Sequence, residues 1–383
     1  MLSAATAYDA VVLGLGGMGS AALAHLAARG KRVLGIERFE RAHERGSSAG
    51  RSRIIRMAYY EDPAYVPLLR RAYELWRELE RQSGMTLLDL YGVLMVGGFE
   101  SSVLRGARLS ERMHDIALEE LDRADILRRY PTLLVGSSEC GILEPQAGAV
   151  FPEAAIAAHL RVARGHGATI RYETRAVAYE PRAAGIRVGL DDGSTVDAER
   201  LVICAGPWLS ELAAELNLPL RVQRNVQLWF HPATADYGRQ RFPAFFVDRP
   251  EWPAPLYGCP DGGDGVKAAF HAYGETTVPD DLDRTVRPDD VACVEEALDA
   301  WMPGAAGEYA AGKACMYTLT PDEHFIIDAH PGDARVVIAG GFSGHGYKFC
   351  PVVGEIIADL VSDGTTPHPV DFLRIGRLGR RPF

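Results

Sequence analysis

The 383-residue sequence is poor in several things, and each shortage narrows what the protein can be. Its six cysteines (Cys140, Cys204, Cys259, Cys293, Cys315 and Cys350) include no C-x-x-C pair. Scattered single thiols argue against a structural zinc and against a disulfide framework; they suit a reducing, cytoplasmic compartment. No metal centre is expected. Positive charge is not in excess either. The 41 Lys and Arg face 51 Asp and Glu, a formal net charge of −10, the wrong sign for nucleic acid or an anionic membrane as main partner. No run is long and apolar enough to span a bilayer. The stretch 11–28, uncharged apart from His25, is broken by glycines and preceded by Asp9 rather than by basic residues, so it does not read as a signal peptide. The end, Arg381-Pro382-Phe383, is not a peroxisomal tripeptide. No internal repeat or low-complexity segment is visible. What remains is a composition 47% hydrophobic and 24% charged, ordinary for a globular protein and sufficient for two domains.

The most informative stretch is 10–37. An apolar run, Ala10-Val11-Val12-Leu13, leads into Gly14, Gly16, Gly17 and Gly19, with Met18 between. An Ala-rich segment at helical spacing follows, with Gly30 as its stop, then Arg32-Val33-Leu34-Gly35-Ile36 and an acid, Glu37. Strand, glycine turn, helix, strand and acid together form a dinucleotide-binding fingerprint. Gly14 allows the sharp turn, Gly16 lets backbone approach a pyrophosphate, and Gly19 lets helix and strand pack closely. The helix N-terminus offers free N–H groups to phosphates, and Glu37 offers an acceptor to ribose.

Further along, the spacing predicts helices over 67–82, 118–128, 153–164 and 289–301, and one ending near Val361. Strands are expected at 91–96, 169–172, 186–190, 201–204, 222–231, 265–271, 313–319 and 335–341. The texture changes near Leu218, where the next fifty or so residues carry strand-like runs separated by prolines and glycines. A discontinuous layout follows. Segments 1–90, 150–217 and 320–383 form the nucleotide domain, and 91–149 and 218–319 form a mostly antiparallel domain, with the active site at their junction.

Four stretches carry candidate chemistry. Arg45-Gly46-Ser47-Ser48-Ala49-Gly50-Arg51-Ser52-Arg53-Ile54-Ile55-Arg56 is either a solvated loop or, following the ribose acid, a ligand loop anchored by Ile54-Ile55. Cys315, two residues from Lys313, is either a thiolate in the making or an inert core thiol. Lys267, in an apolar strand, either faces solvent or is buried with a partner and an altered pKa. Gly344-His345-Gly346-Tyr347-Lys348 is either a structural turn or a helix start placed to stabilise negative charge.

On these motifs the chain resembles the monomeric sarcosine oxidase family, which includes N-methyltryptophan oxidase. The likeness rests on Gly14-x-Gly16-x-x-Gly19, Ser52-Arg53-Ile54-Ile55-Arg56, Cys315-Met316-Tyr317-Thr318 with Asp322-Glu323-His324-Phe325-Ile326-Ile327-Asp328, and Gly341-Phe342-Ser343-Gly344-His345-Gly346-Tyr347-Lys348-Phe349, and it runs from about residue 8 to residue 365. The resemblance implies an α/β fold with an α+β insert: a Rossmann-like FAD domain of the glutathione-reductase or D-amino acid oxidase type, and a mostly antiparallel substrate domain. It implies FAD, joined covalently through Cys315. It places the cofactor against Gly14, Gly16, Gly17, Met18, Gly19, Glu37, Arg38, Ser47, Ser48, Arg51, Ser52, Ala176, Ala205, Gly206, Trp208, Met316, Gly344, Gly346 and Lys348. It assigns Arg56 and Lys348 to the substrate carboxylate, with Tyr257, Tyr59 and Phe246 around the substrate, and Lys267, Arg53, His271, Tyr317 and His345 to catalysis, Lys267 as the oxygen-activating cation.

The implied reaction is oxidation of the N-alkyl C–N bond of a secondary amino acid such as sarcosine. Dioxygen is the acceptor, and the products are an aldehyde, the primary amino acid and hydrogen peroxide. The protein would be a cytoplasmic monomer whose partners are the small amino acid and oxygen. An FAD dehydrogenase, a cyclic imino acid oxidase acting on proline- or pipecolate-like rings, and a nucleotide-binding regulator without turnover are the alternatives. The chain departs from the family pattern at Ala49, where relatives often carry a histidine near the flavin, at Arg51, where they carry an acid, and at Met57, where a histidine is usual. Met57 and Phe246 together suggest a more apolar pocket, suited to larger N-alkyl amino acids.

Overall fold

The computed structural model describes residues 8–260 and 265–379; the terminal tripeptide 381–383 lies outside the described residues. The central sheet has eight strands. Its parallel heart places Tyr8–Leu13 between Val33–Ile36 and Thr195–Ile203, with Thr169–Arg171 beyond Val33–Ile36. The far edge of Thr195–Ile203 is divided. Residues 195–198 pair antiparallel with Gly185–Leu190, which in turn pairs with Ala176–Arg182, while residues 201–203 pair parallel with Asp333–Gly340. Alternate residues feed two cores. Ala10, Val12, Val202 and Val337 pack under a helical layer of Gly17–Ala28, Val66–Ser83, Pro152–Gly165 and Cys350–Asp363. Val11, Leu13, Ile203 and Ile338 pack on the opposite face. Such two-sided burial is why these strands read as continuous apolar runs.

A second eight-stranded sheet runs in the order Glu308–Leu319, Arg221–His231, Val266–Phe270, Leu256–Pro260, Ala244–Asp248, Val93–Gly98, Glu139–Glu144, Glu119–Leu121. It is antiparallel throughout except where Ala244–Asp248 pairs parallel with Val93–Gly98. Helix Pro288–Trp301 covers its outer core through Val294, Leu298 and Trp301. A three-stranded ribbon joins Arg53–Ile55 and Leu88–Asp89 to Gly148–Val150. No helix among the described residues is long and apolar enough to cross a membrane.

The element boundaries follow local chemistry. Helix Val66–Ser83 has Pro67 in its first turn, buries Leu68, Leu69, Ala72, Leu75, Trp76 and Leu79, and stops at Gly84 in the left-handed conformation. The expected helix over 118–128 is shorter. Residues 119–121 are a strand paired to Glu139–Glu144, and only Arg123–Arg129 is helical. The reason is Asp122, whose carboxylate accepts from Asp125 N at 2.7 Å and fixes the helix start after the strand. In the arginine-rich stretch, 53–55 is a strand rather than loop, held by the ribbon.

Candidate active site

The strand–turn–helix at the N-terminus builds one end of a long cavity. Gly14 has φ +84°, and a Cβ there would lie 2.4 Å from the Cys204 carbonyl oxygen; one on Gly19 would lie 1.8 Å from the Gly14 carbonyl oxygen. Both glycines are demanded by the fold itself. Gly16 differs, because a Cβ there meets only Ser48 Oγ at 3.3 Å. Its bare backbone faces the cavity at the start of helix Gly17–Ala28, where Ser48 Oγ accepts from Gly17 N at 3.2 Å. First-turn N–H groups of a helix and a close-approach glycine fit a pyrophosphate. Glu37 ends the next strand. Its carboxylate accepts from Leu15 N at 2.8 Å and Phe39 N at 3.1 Å, and His43 Nε2 lies 3.2 Å away. Burial opposes its charge, but His43 and these N–H groups hold its pKa below the usual range. An ionised acceptor therefore stands at the end of the second strand, on the cavity wall.

The remaining cofactor candidates divide into two groups. Gly14, Gly16, Gly17, Met18, Glu37, Arg38, Ser47, Ser48, Ala176, Ala205, Gly206, Trp208, Met316, Gly344 and Gly346 line the cavity, as do two of the catalytic candidates, Arg53 and Tyr317. Arg38 pairs with Asp280 at 2.8 Å and lies over the Trp208 ring, and Trp208 Nε1 also donates to Asp280, so a residue of the 218–319 segment closes this wall. Gly19, Arg51, Ser52, Cys315 and Lys348 are not among the lining residues. Gly19 is a packing glycine. Arg51 lies over the Trp229 ring at 4.9 Å and its N–H donates to Glu153. Ser52 Oγ meets Cys259 Sγ at 3.1 Å.

The cavity's other end meets a cluster of rings and buried charges. Arg53 and Tyr317 belong to both. Lys267, in a strand buried at every residue, donates to the carbonyls of Gly50 at 2.8 Å and Ser52 at 2.6 Å. Burial, with Arg53 nearby, lowers its pKa to about 7. The solvent-facing alternative for Lys267 is excluded. His271 sits among Tyr317 (5.7 Å between centroids), Phe246 (5.8 Å) and Tyr257 (6.1 Å); Phe246 and Tyr257 stack at 6.3 Å. Burial brings His271 down to about 4, so the imidazole is neutral. Tyr257 and Tyr317 hydroxyls lie 3.4 Å apart. A Cβ at Gly344 would strike the Tyr317 ring at 2.2 Å, so the bare turn makes room for that ring.

Arg56 and Lys348 both lie against the Tyr59 ring, 4.8 and 5.1 Å from its centroid. Arg56 donates to both oxygens of Glu61, at 2.8 and 2.7 Å, and to Ala58 O at 2.6 Å. Burial works against the Glu61 charge, but Arg56 above all, with Lys348, outweighs it and brings the carboxyl to about 2. Lys348 donates to His345 O at 2.6 Å, and its own carbonyl accepts from Trp76 Nε1 at 2.9 Å. Burial and Arg56 bring Lys348 down to about 7. His345 Nε2 lies 3.0 Å from Glu323 O, a pure acceptor, so Nε2 carries the proton and Nδ1 accepts from the Tyr59 hydroxyl. This assigns His345 a fixed neutral tautomer; burial puts its pKa at about 3.

Several side chains here were not singled out by sequence reasoning. Glu61 neutralises Arg56. Glu144, buried, accepts from Met57 N at 2.7 Å and Ala58 N at 2.9 Å, fixing the chain just after Arg56. Glu153 accepts from Gly50 N at 2.7 Å and Arg51 N at 3.1 Å. His43 and Gln227 complete the set. Each is a lone polar residue in an unremarkable run; Glu61 and His43 answer near neighbours in the chain, whereas Glu144, Glu153 and Gln227 meet partners 87, 103 and 88 residues away. Two expectations change. Lys313, expected beside Cys315, is ion-paired with Glu44 instead. Met57 packs with the helical-layer core, so of the two apolar residues only Phe246 belongs to the ring cluster.

A nucleotide fingerprint, a cavity running from it to a sheet of a second type, and buried cations at its far end define an oxidoreductase built around a dinucleotide cofactor. The family is then direct: a model described as DAO, FAD dependent oxidoreductase, matches residues 9–360, and the chain belongs to that family. Its relatives include a monomeric sarcosine oxidase from Streptomyces avermitilis, 43% identical over 381 residues, spanning 98% of this chain and 99% of that protein. An N-methyl-L-tryptophan oxidase from Yersinia pestis is 35% identical, spanning 97% of this chain and 99% of that one. In fold the chain is similar to NikD, described as an unusual amino acid oxidase essential for nikkomycin biosynthesis, with a TM-score of 0.86 at 24% identity, covering 96% of this chain and 97% of NikD. The protein is an FAD-dependent oxidoreductase.

Proposed function

We propose that this protein oxidises the N-alkyl carbon of secondary amino acids, sarcosine and other N-methyl amino acids, with dioxygen as acceptor. The net reaction consumes one water and one dioxygen and gives the aldehyde, the primary amino acid and hydrogen peroxide. The observation that carries it is the pair of buried cations, Arg56 and Lys348, gathered on the Tyr59 ring at 4.8 and 5.1 Å from its centroid. Two cations answer one carboxylate and fix its orientation. FAD, when bound, supplies a two-electron acceptor.

The chain's own residues do the rest. The substrate carboxylate competes with Glu61 for Arg56 and draws Lys348 toward its charged form. Phe246, Tyr257, His271 and Tyr317 enclose the carbon chain and exclude water. Neutral His271 adds no cation against the amine, which must itself be unprotonated to react. Lys267 and Arg53 supply positive charge for the anion that forms as dioxygen is reduced. Phe246 favours substrates with an apolar side chain. Cys315 carries the covalent bond to the flavin. Residues 1–90, 150–217 and 320–383 serve as the FAD domain, and 91–149 with 218–319 as the substrate domain, in a cytoplasmic monomer.

The test is a substrate panel of sarcosine, N-methyl-leucine, N-methyl-phenylalanine and proline, with aldehyde and peroxide measured together. Equal amounts of both from the N-methyl compounds are expected. Turnover of proline alone, or turnover with an artificial dye but no peroxide, would overturn the reading. Yellow colour retained in an acid-precipitated pellet, and lost in Cys315→Ala, is the expected sign of covalent flavin.

A further inference from the structure

Gln227 has no task in the reaction above, yet it is 1% exposed and lies against Cys315, which is 2% exposed. The strand Arg221–His231 runs antiparallel to Glu308–Leu319 with Asn225 opposite Cys315 and Gln227 opposite Lys313. Alternation puts residues 225, 227, 313 and 315 on one face, so Gln227 is the diagonal neighbour of Cys315. Arg53 Nη1 donates to Gln227 Oε1 at 3.2 Å, and Gln227 Nε2 donates to Cys315 Sγ at 3.1 Å. Arg53 is itself fixed by the carbonyls of Ser47, Ala49 and Ser52. The amide has room because position 50 is glycine, where a Cβ would lie 2.3 Å from Gln227 Oε1.

The direction of this chain of contacts is not free. A guanidinium has donors only, so the amide must turn its oxygen to Arg53 and its NH2 to sulfur. The sulfur is thereby cast as an acceptor, a part a thiolate fills better than a thiol. Lys313 is not the source of this polarity, being paired with Glu44.

We propose that Gln227 is a positioning residue for flavin attachment: oriented by Arg53, its amide holds the Cys315 sulfur as an acceptor, ready to bond to carbon. The proposal rests on the covalent attachment proposed above. In that step a bond forms from Sγ to the 8α carbon of the isoalloxazine ring. The thiol proton and one 8α proton leave, and two electrons remain on the ring. Dioxygen takes both electrons and both protons and departs as hydrogen peroxide.

The test uses flavin-free full-length protein given FAD, comparing the natural chain with Gln227→Glu and Gln227→Leu. Non-covalent FAD binding by fluorescence quenching, acid-stable flavin against time, and iodoacetamide labelling of the Cys315 peptide are followed at one pH. Gln227→Glu is isosteric and still pairs with Arg53, so a merely structural role leaves it near normal. The proposal instead expects both variants to bind FAD but attach it about ten- to a hundredfold more slowly, with Glu the slower, as for loss of a charge-assisted hydrogen bond. Labelling of Cys315 in Gln227→Glu is expected to slow by a similar factor. Attachment and labelling at the natural rate in Gln227→Glu overturn the proposal, as does loss of FAD binding in both variants. If the natural chain itself leaves no flavin in the acid pellet, the covalent reading has failed. The labelling comparison then decides separately whether Gln227 holds the sulfur, equal rates overturning that too.

Discussion

Lys267 sits where its charge is costly: burial and the nearby Arg53 guanidinium leave it with a pKa of about 7. Such a cation persists for a purpose, and a developing oxygen anion is the partner it lacks. Replacing Lys267 by Met is expected to slow reoxidation of the reduced enzyme by dioxygen about 10²- to 10³-fold, while anaerobic reduction by substrate changes little. Stopped-flow absorbance follows both halves, and equal losses in the two would assign Lys267 to substrate binding instead. The same logic applies at Lys348, which burial and Arg56 bring to about 7. Its cation is complete below that pH and lost above it. The affinity of a simple carboxylate such as acetate is therefore expected to fall as pH rises past about 7, read as the pH dependence of its inhibition constant. An affinity that climbs or stays level through pH 9 would remove Lys348 from the carboxylate site.

At the scale of elements, the first strand, turn and helix separate glycines the fold needs from one it does not. Gly19→Ala drives a methyl into the Gly14 carbonyl and is expected to abolish soluble folded protein. Gly16→Ala meets only Ser48 Oγ, at 3.3 Å. It is expected to keep the melting temperature of the flavin-free protein within a few degrees and to lose FAD affinity at least tenfold. A Gly16→Ala variant that binds FAD normally would place the pyrophosphate elsewhere. The strand Glu308–Leu319 shows the limit of such local argument. Its alternation puts Lys313, Cys315 and Tyr317 on one face, and Lys313 looks like the natural activator of Cys315. Across the sheet, though, Glu44 takes Lys313, and Arg53 reaches the thiol through Gln227. The helix expected from 118 shortens for a similar reason: residues 119–121 found a strand partner, and Asp122 capped what was left.

For the molecule as a whole, buried bases set the pH profile of stability. Burial holds His271 at about 4, and His159 and His345 at about 3, against 6.5 when unfolded. Between those limits the unfolded chain binds more protons, so stability is present above pH 6.5 and is lost as pH falls toward 4 and below, by a few kcal/mol per histidine. Lys267 and Lys348, at about 7 in the folded protein and 10.5 unfolded, act in the same direction, making stability rise between pH 7 and 10.5. The flavin-free protein is therefore expected to melt at successively higher temperature at pH 5, 6.5, 8 and 9.5. Calorimetry showing a maximum near pH 6 would contradict the burial assigned to these groups.

The sequence alone determined the nucleotide fingerprint, the parallel strands and their helices, because those depend on residues close in the chain: glycines at fixed spacing, apolar periodicity, a proline at a helix start. It also supplied the motifs that single out Arg56, Lys267, Cys315 and Lys348. The tertiary structure decided how these act. Gly50 and Lys267 are 217 residues apart, Gln227 and Cys315 are 88, and Tyr59 and His345 are 286. Over such distances no local pattern specifies a partner. Charge state, tautomer and hydrogen-bond direction arise only when burial removes water and leaves each polar group a few fixed neighbours to answer.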